Sequence, residues 1–238
     1  MTYKRQMEKA IKEYMDSIGF KYYSPRYLYI RKVDDDTVFT TRYATTSYYM
    51  KEHYELSINA CVIYRSWNDL LYRLTEGSCD FDSFMNGSVY FPTRLTREEK
   101  HVVFTGTRTI DENLADYKEE IETHALPVLE RYTDKVVLFQ DMQNNSGSLS
   151  YRKNIKWYMP IAYHLNGKDD EALRYVEKVL KECEENYKMN PQAPAYIQNL
   201  HDFTLYYKNL KRLIDGQELP PRDTPSVVSQ ILQKLYKR

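Results

Sequence analysis

The chain has 238 residues, a mass of 28.6 kDa and equal numbers of basic and acidic side chains, 34 of each. Hydrophobic residues make up 42% of the sequence and only seven residues are glycine, which excludes a disordered chain, a collagen-like repeat and a flexible linker array. No apolar stretch approaches the roughly 18 residues of a membrane-spanning helix. Tyrosine is the unusual component, with 24 copies against eight Phe and two Trp.

The N-terminal sequence and the cysteines predict a cytoplasmic protein. Charged residues interrupt every apolar window near the N-terminus, so we expect no signal peptide and a cytoplasmic location. Cys61, Cys79 and Cys183 form no CxxC pair, so we expect small buried side chains rather than disulfides. A net charge of zero argues against a dedicated nucleic-acid binder, and we expect no membrane partner.

The first half of the chain alternates between helical and strand-like patterns. Apolar residues at spacings of three and four predict a helix over residues 3–18, with Thr2 as N-cap and Gly19 just beyond its end. Alternating residues predict a hairpin of strands 27–31 and 38–43 around the turn 34–36. Its face with Leu28 and Ile30 is the expected core face. The clearest strand is predicted at residues 54–64.

Further elements follow in the same part of the chain. We expect a short helix capped by Ser66 and two strands near residues 89–91 and 101–104. A long helix is predicted from a cap at Asp111 to about Arg131. Pro127 should kink or divide that helix, because proline has no amide donor.

The chain from residue 151 onwards has a helical period throughout. Helices are predicted to stop at Asn166-Gly167, at Asn190-Pro191 and before Gly216, with a last helix over residues 226–236. The expected fold class is therefore α+β, with an antiparallel sheet and packed helices in residues 1–143. Residues 144–150 are the expected linker, and residues 151–238 an all-helical region.

Several short stretches resemble known families. Residues 17–20, the aromatic hairpin with its arginine, residues 54–59 and residues 121–130 resemble parts of DUF4304, a bacterial family of uncharacterised domains. The resemblance covers residues 1–140 and implies a fold more than a function, because the family has no accepted activity. Residues 157–196 look like one degenerate tetratricopeptide-type hairpin, although an ordinary helical hairpin has the same pattern.

Sequence motifs for catalysis are absent. The sequence contains no GxGxxG, GxxxxGK[ST], HExxH or GxSxG, and its five histidines are not spaced as local zinc ligands. No catalytic residue and no cofactor are therefore predicted. Asp80 and Asp82, with the Asn86 carbonyl, are weak candidates for a Mg²⁺ or Ca²⁺ site, and a solvated turn is the alternative. Glu119, Glu120, Glu122 and His124 on the long helix are a second candidate. Glu120 and His124 lie four residues apart, where the carboxylate could orient the imidazole, and an exposed acidic face is the alternative.

The strongest candidate site is the aromatic and basic hairpin. Its proposed binding residues are Tyr27, Tyr29, Arg31, Arg42 and Tyr43. Tyrosine presents a flat apolar ring and a hydroxyl at low entropic cost, so it suits contact surfaces, and arginine can stack on it. Because Leu28 and Ile30 take the core face, Tyr27, Tyr29 and Arg31 are expected on the open face. The alternative is that tyrosine simply fills strand positions.

These observations lead to three functional hypotheses. The first is a non-enzymatic protein-interaction module, of an immunity or accessory type, which binds a protein partner through the tyrosine and arginine face. The second is a metal-dependent phosphoesterase or nucleotide-processing enzyme with Asp80 and Asp82 at the metal. The third is a weak binder of single-stranded nucleic acid, in which the same aromatic face stacks on bases.

Overall fold

A computed structural model describes residues 1–26, 28–47, 52–78, 89–92, 102–144 and 152–236. The chain divides into two compact units. The first contains Met1–Ile63, Val89–Ser150 and Ile231–Arg238, and the second contains Tyr64–Ser88 and Tyr151–Gln230. The expected division at residues 144–150 differs from this one, because two further segments change units. Most of the expected linker lies outside the described residues.

The first unit begins with helix α1, Tyr3–Ser17. Met7, Ile11 and Met15 are completely buried and form the predicted apolar stripe. Thr2 occupies the N-cap position, but its side chain accepts no capping hydrogen bond. Gly19 follows the helix with a φ of +87°, a conformation that side chains disfavour, so the predicted end of the helix is confirmed.

A six-stranded sheet follows α1. Its strands are β1 Lys21–Tyr23, β2 Leu28–Lys32, β3 Thr37–Ser47, β4 His53–Tyr64, β5 Val89–Pro92 and β6 Val102–Thr105. The strand order is β1-β2-β3-β4-β5, and β6 also pairs with β4. The pairs β1–β2, β2–β3, β4–β5 and β4–β6 are antiparallel. The predicted hairpin and the predicted third strand are thus confirmed.

The hairpin turn needs no glycine because Asp34 organises it. The Asp34 carboxylate accepts hydrogen bonds from the backbone amides of Asp36 and Thr37, at 2.7 and 2.6 Å. This side chain mimics a backbone turn and sets the pairing of β2 with β3. The register places Tyr29 opposite Thr41 and Arg31 opposite Phe39.

The short helix after the sheet's long strand, α2, spans Arg65–Leu74. Tyr64 takes its N-cap position without a capping side chain, so the predicted cap at Ser66 is wrong. The helix starts two residues earlier than expected, because β4 runs into it without a connecting loop.

The predicted long helix consists of α3 Ile110–Glu120, a π-helical turn Ile121–Ala125 and α4 Leu126–Arg131. The predicted cap at Asp111 is wrong. Thr109 caps the helix instead: its hydroxyl accepts from the Glu112 amide, while the Glu112 carboxylate accepts from the Thr109 amide. Pro127 follows the π-helical turn, so the expected disruption takes the form of a widened turn.

Two polar networks hold the helices of the first unit in place. The Asn113 amide is fully buried and donates to the Tyr3 hydroxyl, at 2.7 Å, and to the carbonyls of Thr105 and Thr109. The Tyr3 hydroxyl itself donates to the Thr105 carbonyl at 2.7 Å. The start of α1 is thereby fixed to β6 and α3.

The second network connects α4 to α5, Lys135–Gln143. The buried Asp141 carboxylate accepts two hydrogen bonds from Arg131 Nη2, at 2.9 and 3.1 Å, and one from the Tyr132 hydroxyl, at 2.7 Å. A buried charge is tolerated when it is paired in this way.

The second unit is helical. Its helices are α2, α6 Arg152–Leu165, α7 Asp169–Met189, α8 Pro194–Ile214 and the first residues of α9, Val227–Tyr236. Trp157 stacks on Phe203 with ring centroids 3.9 Å apart, and the Tyr206 hydroxyl donates to the Trp157 carbonyl. The predicted stops at Gly167 and Gly216 are confirmed, because both have positive φ. The α+β fold class, with an antiparallel sheet and a helical C-terminal region, is confirmed. No helix in the described part of the chain has the length and apolarity needed to cross a membrane.

Thr109 and Thr2 both occupy helix N-cap positions, but only the Thr109 side chain makes a capping hydrogen bond, so the pair tests the capping assignment. Thr109→Ala should lower the free energy of unfolding by about 1 kcal/mol, because a helix N-terminal amide loses its acceptor. Thr2→Ala is the control and should change stability by no more than about 0.5 kcal/mol, since its side chain caps nothing. Urea unfolding followed by circular dichroism measures both variants. Equal losses for the two would contradict the capping assignment.

Candidate functional site

A cleft of about 610 Å³ opens in the first unit between α1 and the first three strands. Its walls combine cationic and phenolic side chains. They are Lys4, Glu8, Lys9, Lys12, Tyr22, Tyr29, Arg42, Tyr43, Ala44 and Thr45. A volume of this size suits a small molecule or a few residues of a peptide.

The cleft brings together three of the five predicted binding residues, Tyr29, Arg42 and Tyr43. Tyr27 lies outside the described residues. Arg31 is described and does not line the cleft. The cleft thus includes part of the predicted hairpin site, and its walls also come from α1.

Arg31 has a structural role within the first unit. Its guanidinium carbon lies 4.9 Å from the ring centroid of Phe39 and 5.4 Å from that of Phe20. Arg31 Nη2 is also 3.7 Å from a carboxylate oxygen of Glu130. Cation–π contact and this ion pair engage the side chain in packing α4 and the end of α1 beside the sheet.

The expectation of an open tyrosine face is wrong at Tyr29. The side chain is 1% exposed, and Leu28 and Ile30 on the opposite face are buried as well. The strand is therefore covered on both sides, and only the rim of the tyrosine face is accessible. The alternating pattern identified one core face correctly but could not show that a helix borders the other.

Five tyrosines form a continuous series from the cleft into the interior. Ring centroids are 5.0 Å apart for Tyr22 and Tyr29, 6.5 Å for Tyr29 and Tyr43, and 6.4 Å for Tyr43 and Tyr117. Tyr14 follows, 6.2 Å from Tyr117 and nearly perpendicular to it. Strand register explains the first contacts, since Tyr22 lies directly opposite Tyr29 and Tyr43 diagonally across.

The inner end of the series reaches the π-helical turn. The Tyr14 hydroxyl donates to a carboxylate oxygen of Glu122 at 3.0 Å. Tyr117 is completely buried, and among the described residues its hydroxyl has no hydrogen-bond partner. An unpaired buried hydroxyl destabilises a fold, so Tyr117 is a weak point of this core.

Burial determines the protonation of these phenols. It raises the pKa of Tyr29, Tyr43 and Tyr117 well above the usual value near 10. For Tyr43, the neighbouring Glu8 carboxylate raises the pKa further. These phenols are neutral at physiological pH, as an ordinary tyrosine also is. Tyr43, which is half-buried and lines the cleft, is the one of the three whose side chain is open to a ligand.

The rim of the cleft is mainly positive. Lys4, Lys9, Lys12 and Arg42 line it, and Glu8 is the one carboxylate among the lining residues. Lys4 and Lys12 also approach acidic neighbours on α1, at 3.9 Å from Glu8 and 2.5 Å from Asp16. Such exposed pairs contribute only about 0–1 kcal/mol, so the ammonium groups can turn to a ligand at little expense.

The α1 residues of the cleft were not identified from the sequence as site residues. A signal existed, because Lys4, Glu8 and Lys12 recur at intervals of four on the polar side of a predicted amphipathic helix. Such a row is usually a solvated face, and only the fold shows that it borders a cavity.

The candidate metal site and the candidate glutamate–histidine pair were the other predictions from the sequence. Asp80, Asp82 and Asn86 lie outside the described residues. Glu120 and His124 do approach each other, with 3.9 Å between Oε2 and Nε2, but not within hydrogen-bonding distance. Within the described ranges, no three histidine, cysteine, aspartate or glutamate side chains are grouped to hold a metal ion.

Comparison of the chain with protein-family models, with curated proteins and with solved structures found no match. The resemblances to DUF4304 and to a tetratricopeptide-type hairpin therefore stay predictions.

Two buried tyrosines test the hydrogen-bond assignments. Tyr117→Phe should leave the free energy of unfolding unchanged or raise it by about 1 kcal/mol, because it removes an unpaired hydroxyl. Tyr132→Phe is the matched control and should lower stability by about 1–3 kcal/mol, because the Asp141 carboxylate loses a donor. Urea unfolding gives both values. A larger loss for the Tyr117 variant would show that its hydroxyl is paired.

The raised phenol pKa values predict how stability depends on alkaline pH. Tyrosines of the unfolded chain ionise near pH 10, whereas Tyr29, Tyr43 and Tyr117 remain protonated in the folded chain. Above about pH 10 the unfolded state binds fewer protons, so the free energy of unfolding should fall as pH rises. Below that pH the contribution is complete. Phenolate absorbance should show fewer tyrosines ionising near pH 10 in the folded chain than in urea; coincident titration curves would refute the assignment.

Proposed function

We propose that the chain is a cytoplasmic, non-enzymatic binding module, which holds an acidic segment of a protein partner in the cleft between α1 and the first three strands. The observation that carries the proposal is the composition of its walls. Tyr22, Tyr29 and Tyr43 lie beside Arg42 and three lysines. Such walls offer apolar contact, hydrogen-bond donors and positive charge together.

The cations support an acidic ligand in particular. Arginine matches carboxylates with two parallel donors, and lysine provides mobile point charges. The chain has no net charge, so this local excess of positive charge is a property of the cleft and not of the whole surface. Complementary charge increases the rate and specificity of association.

Burial of the tyrosines favours a protein partner over single-stranded nucleic acid. Base stacking needs an exposed aromatic face, whereas Tyr29 is 1% exposed and already contacts Tyr22 and Tyr43. A protein segment can instead place side-chain carboxylates between the lysines and Arg42 at the rim without stacking on the tyrosines. Nucleic-acid binding is therefore an alternative outcome of the test.

The test uses a fluorescein-labelled random copolymer of glutamate and tyrosine as the acidic probe and measures anisotropy with the full chain. We expect binding that weakens as salt rises. Arg42→Gln should reduce affinity about tenfold or more, because one charge-assisted contact is lost. Arg5→Gln is the matched control: Arg5 is an exposed arginine on α1 that does not line the cleft, and the variant should bind like the wild type.

Two results would contradict the proposal. One is equal loss of affinity in the Arg42 and Arg5 variants, which would indicate charge attraction without a site. The other is a lack of copolymer binding combined with tight binding of a labelled oligothymidylate, which would favour the nucleic-acid hypothesis.

A further inference from the structure

We infer that the partner segment binds in an extended conformation and carries two acidic side chains four residues apart, one opposite Lys4 and one opposite Lys12. This inference rests on the proposed function and adds the conformation and the charge pattern of the bound segment.

The spacing of the cations on α1 is the first observation. Lys4, Glu8 and Lys12 all line the cleft and are separated by intervals of four residues. At 1.5 Å per residue, Lys4 and Lys12 are about 12 Å apart along the helix axis, and Glu8 lies midway. The α1 wall is thus a row of positive, negative and positive groups, with Lys9 beside its centre.

An extended peptide matches that row. Residues four positions apart in a strand are separated by about 13 Å, close to the distance between the two lysines. Side chains of a strand alternate, so the first, third and fifth would face α1, and the second and fourth would face the tyrosines. The third would then lie opposite Glu8 and should be neutral or basic.

The strand wall also suits an extended ligand. Arg42, Tyr43, Ala44 and Thr45 are consecutive in β3, and all four line the cleft. β3 lies inside the sheet, between β2 and β4, so a bound segment would lie alongside this row and would not add a strand to the sheet.

Glu8 is the specificity determinant in this arrangement. A ligand carboxylate at the third position would meet the Glu8 carboxylate, and like charges at close range disfavour binding. Glu8 is the one carboxylate among the residues that line the cleft. It therefore selects against segments with uninterrupted acidic residues facing α1.

Calorimetry with capped five-residue peptides on the full chain tests the pattern. The matching peptide is Glu-Tyr-Gln-Tyr-Glu, an isomer with adjacent acids is Glu-Glu-Gln-Tyr-Tyr, and an isomer with a central acid is Glu-Tyr-Glu-Tyr-Gln. The matching peptide should bind about tenfold tighter than either isomer. Lys12→Gln should abolish that preference, whereas Arg5→Gln should preserve it.

Charge removal at Glu8 provides the second arm. Glu8→Gln should improve binding of the central-acid peptide several-fold more than binding of the matching peptide. Glu119→Gln, an exposed helix position of the same unit outside the cleft, should change neither. Equal affinities of the three peptides, or an equal gain for all of them in the Glu8 variant, would overturn the inference. If the copolymer still binds in an Arg42-dependent manner, the proposed function stands; if it does not bind, both fail.

Discussion

The attachment of α1 determines the properties of the cleft. The Tyr3 and Asn113 side chains fix the start of the helix to β6 and α3, while Met7, Ile11 and Met15 bury its apolar stripe completely. A helix that is fixed at its start and along one face cannot rotate about its axis, because rotation would expose its buried apolar stripe. The lysines and the glutamate of the opposite side are therefore held at set positions beside the tyrosines of the sheet.

The same packing explains the abundance of tyrosine in this part of the chain. A phenylalanine would fill the core equally well, but the phenol reaches polar groups at the margins, as Tyr14 does at Glu122 and Tyr3 does at the Thr105 carbonyl. Each hydroxyl taken from water must find such a partner. Among the described residues Tyr117 has no such partner, and its ring packs between those of Tyr14 and Tyr43.

Periodicity was sufficient to predict the elements whose stability is local. The stripe of α1, the hairpin around Asp34 and the ends at Gly19, Gly167 and Gly216 follow from side-chain spacing and backbone conformation. Features that depend on distant residues were not predictable. The burial of Tyr29 requires knowledge that α1 borders its face, and the assignment of α2 to the second unit depends on its packing against α6 and α8.

Errors at the helix starts have a related cause. Asp111 and Ser66 are residues of the right type for a cap, but the strand before each helix decides where the backbone turns. Thr109 follows the turn after β6 and takes the cap, so Asp111 falls within the first turn, where its charge still favours the helix dipole. Both helices were predicted, but each predicted cap lies two residues beyond the observed N-cap.

Neutral phenols and mobile lysines give the cleft two distinct contributions to recognition. The tyrosines are rigid, so they define the shape of the cleft, and the half-buried Tyr22 and Tyr43 can contact a ligand with little loss of conformational entropy on binding. The lysines are exposed and weakly paired, so they contribute long-range attraction that depends on salt. Glu8 lies between these groups and opposes any ligand that offers negative charge without the correct spacing. A rigid aromatic wall, a flexible cationic wall and one repulsive charge together can distinguish a patterned acidic segment from a merely acidic one.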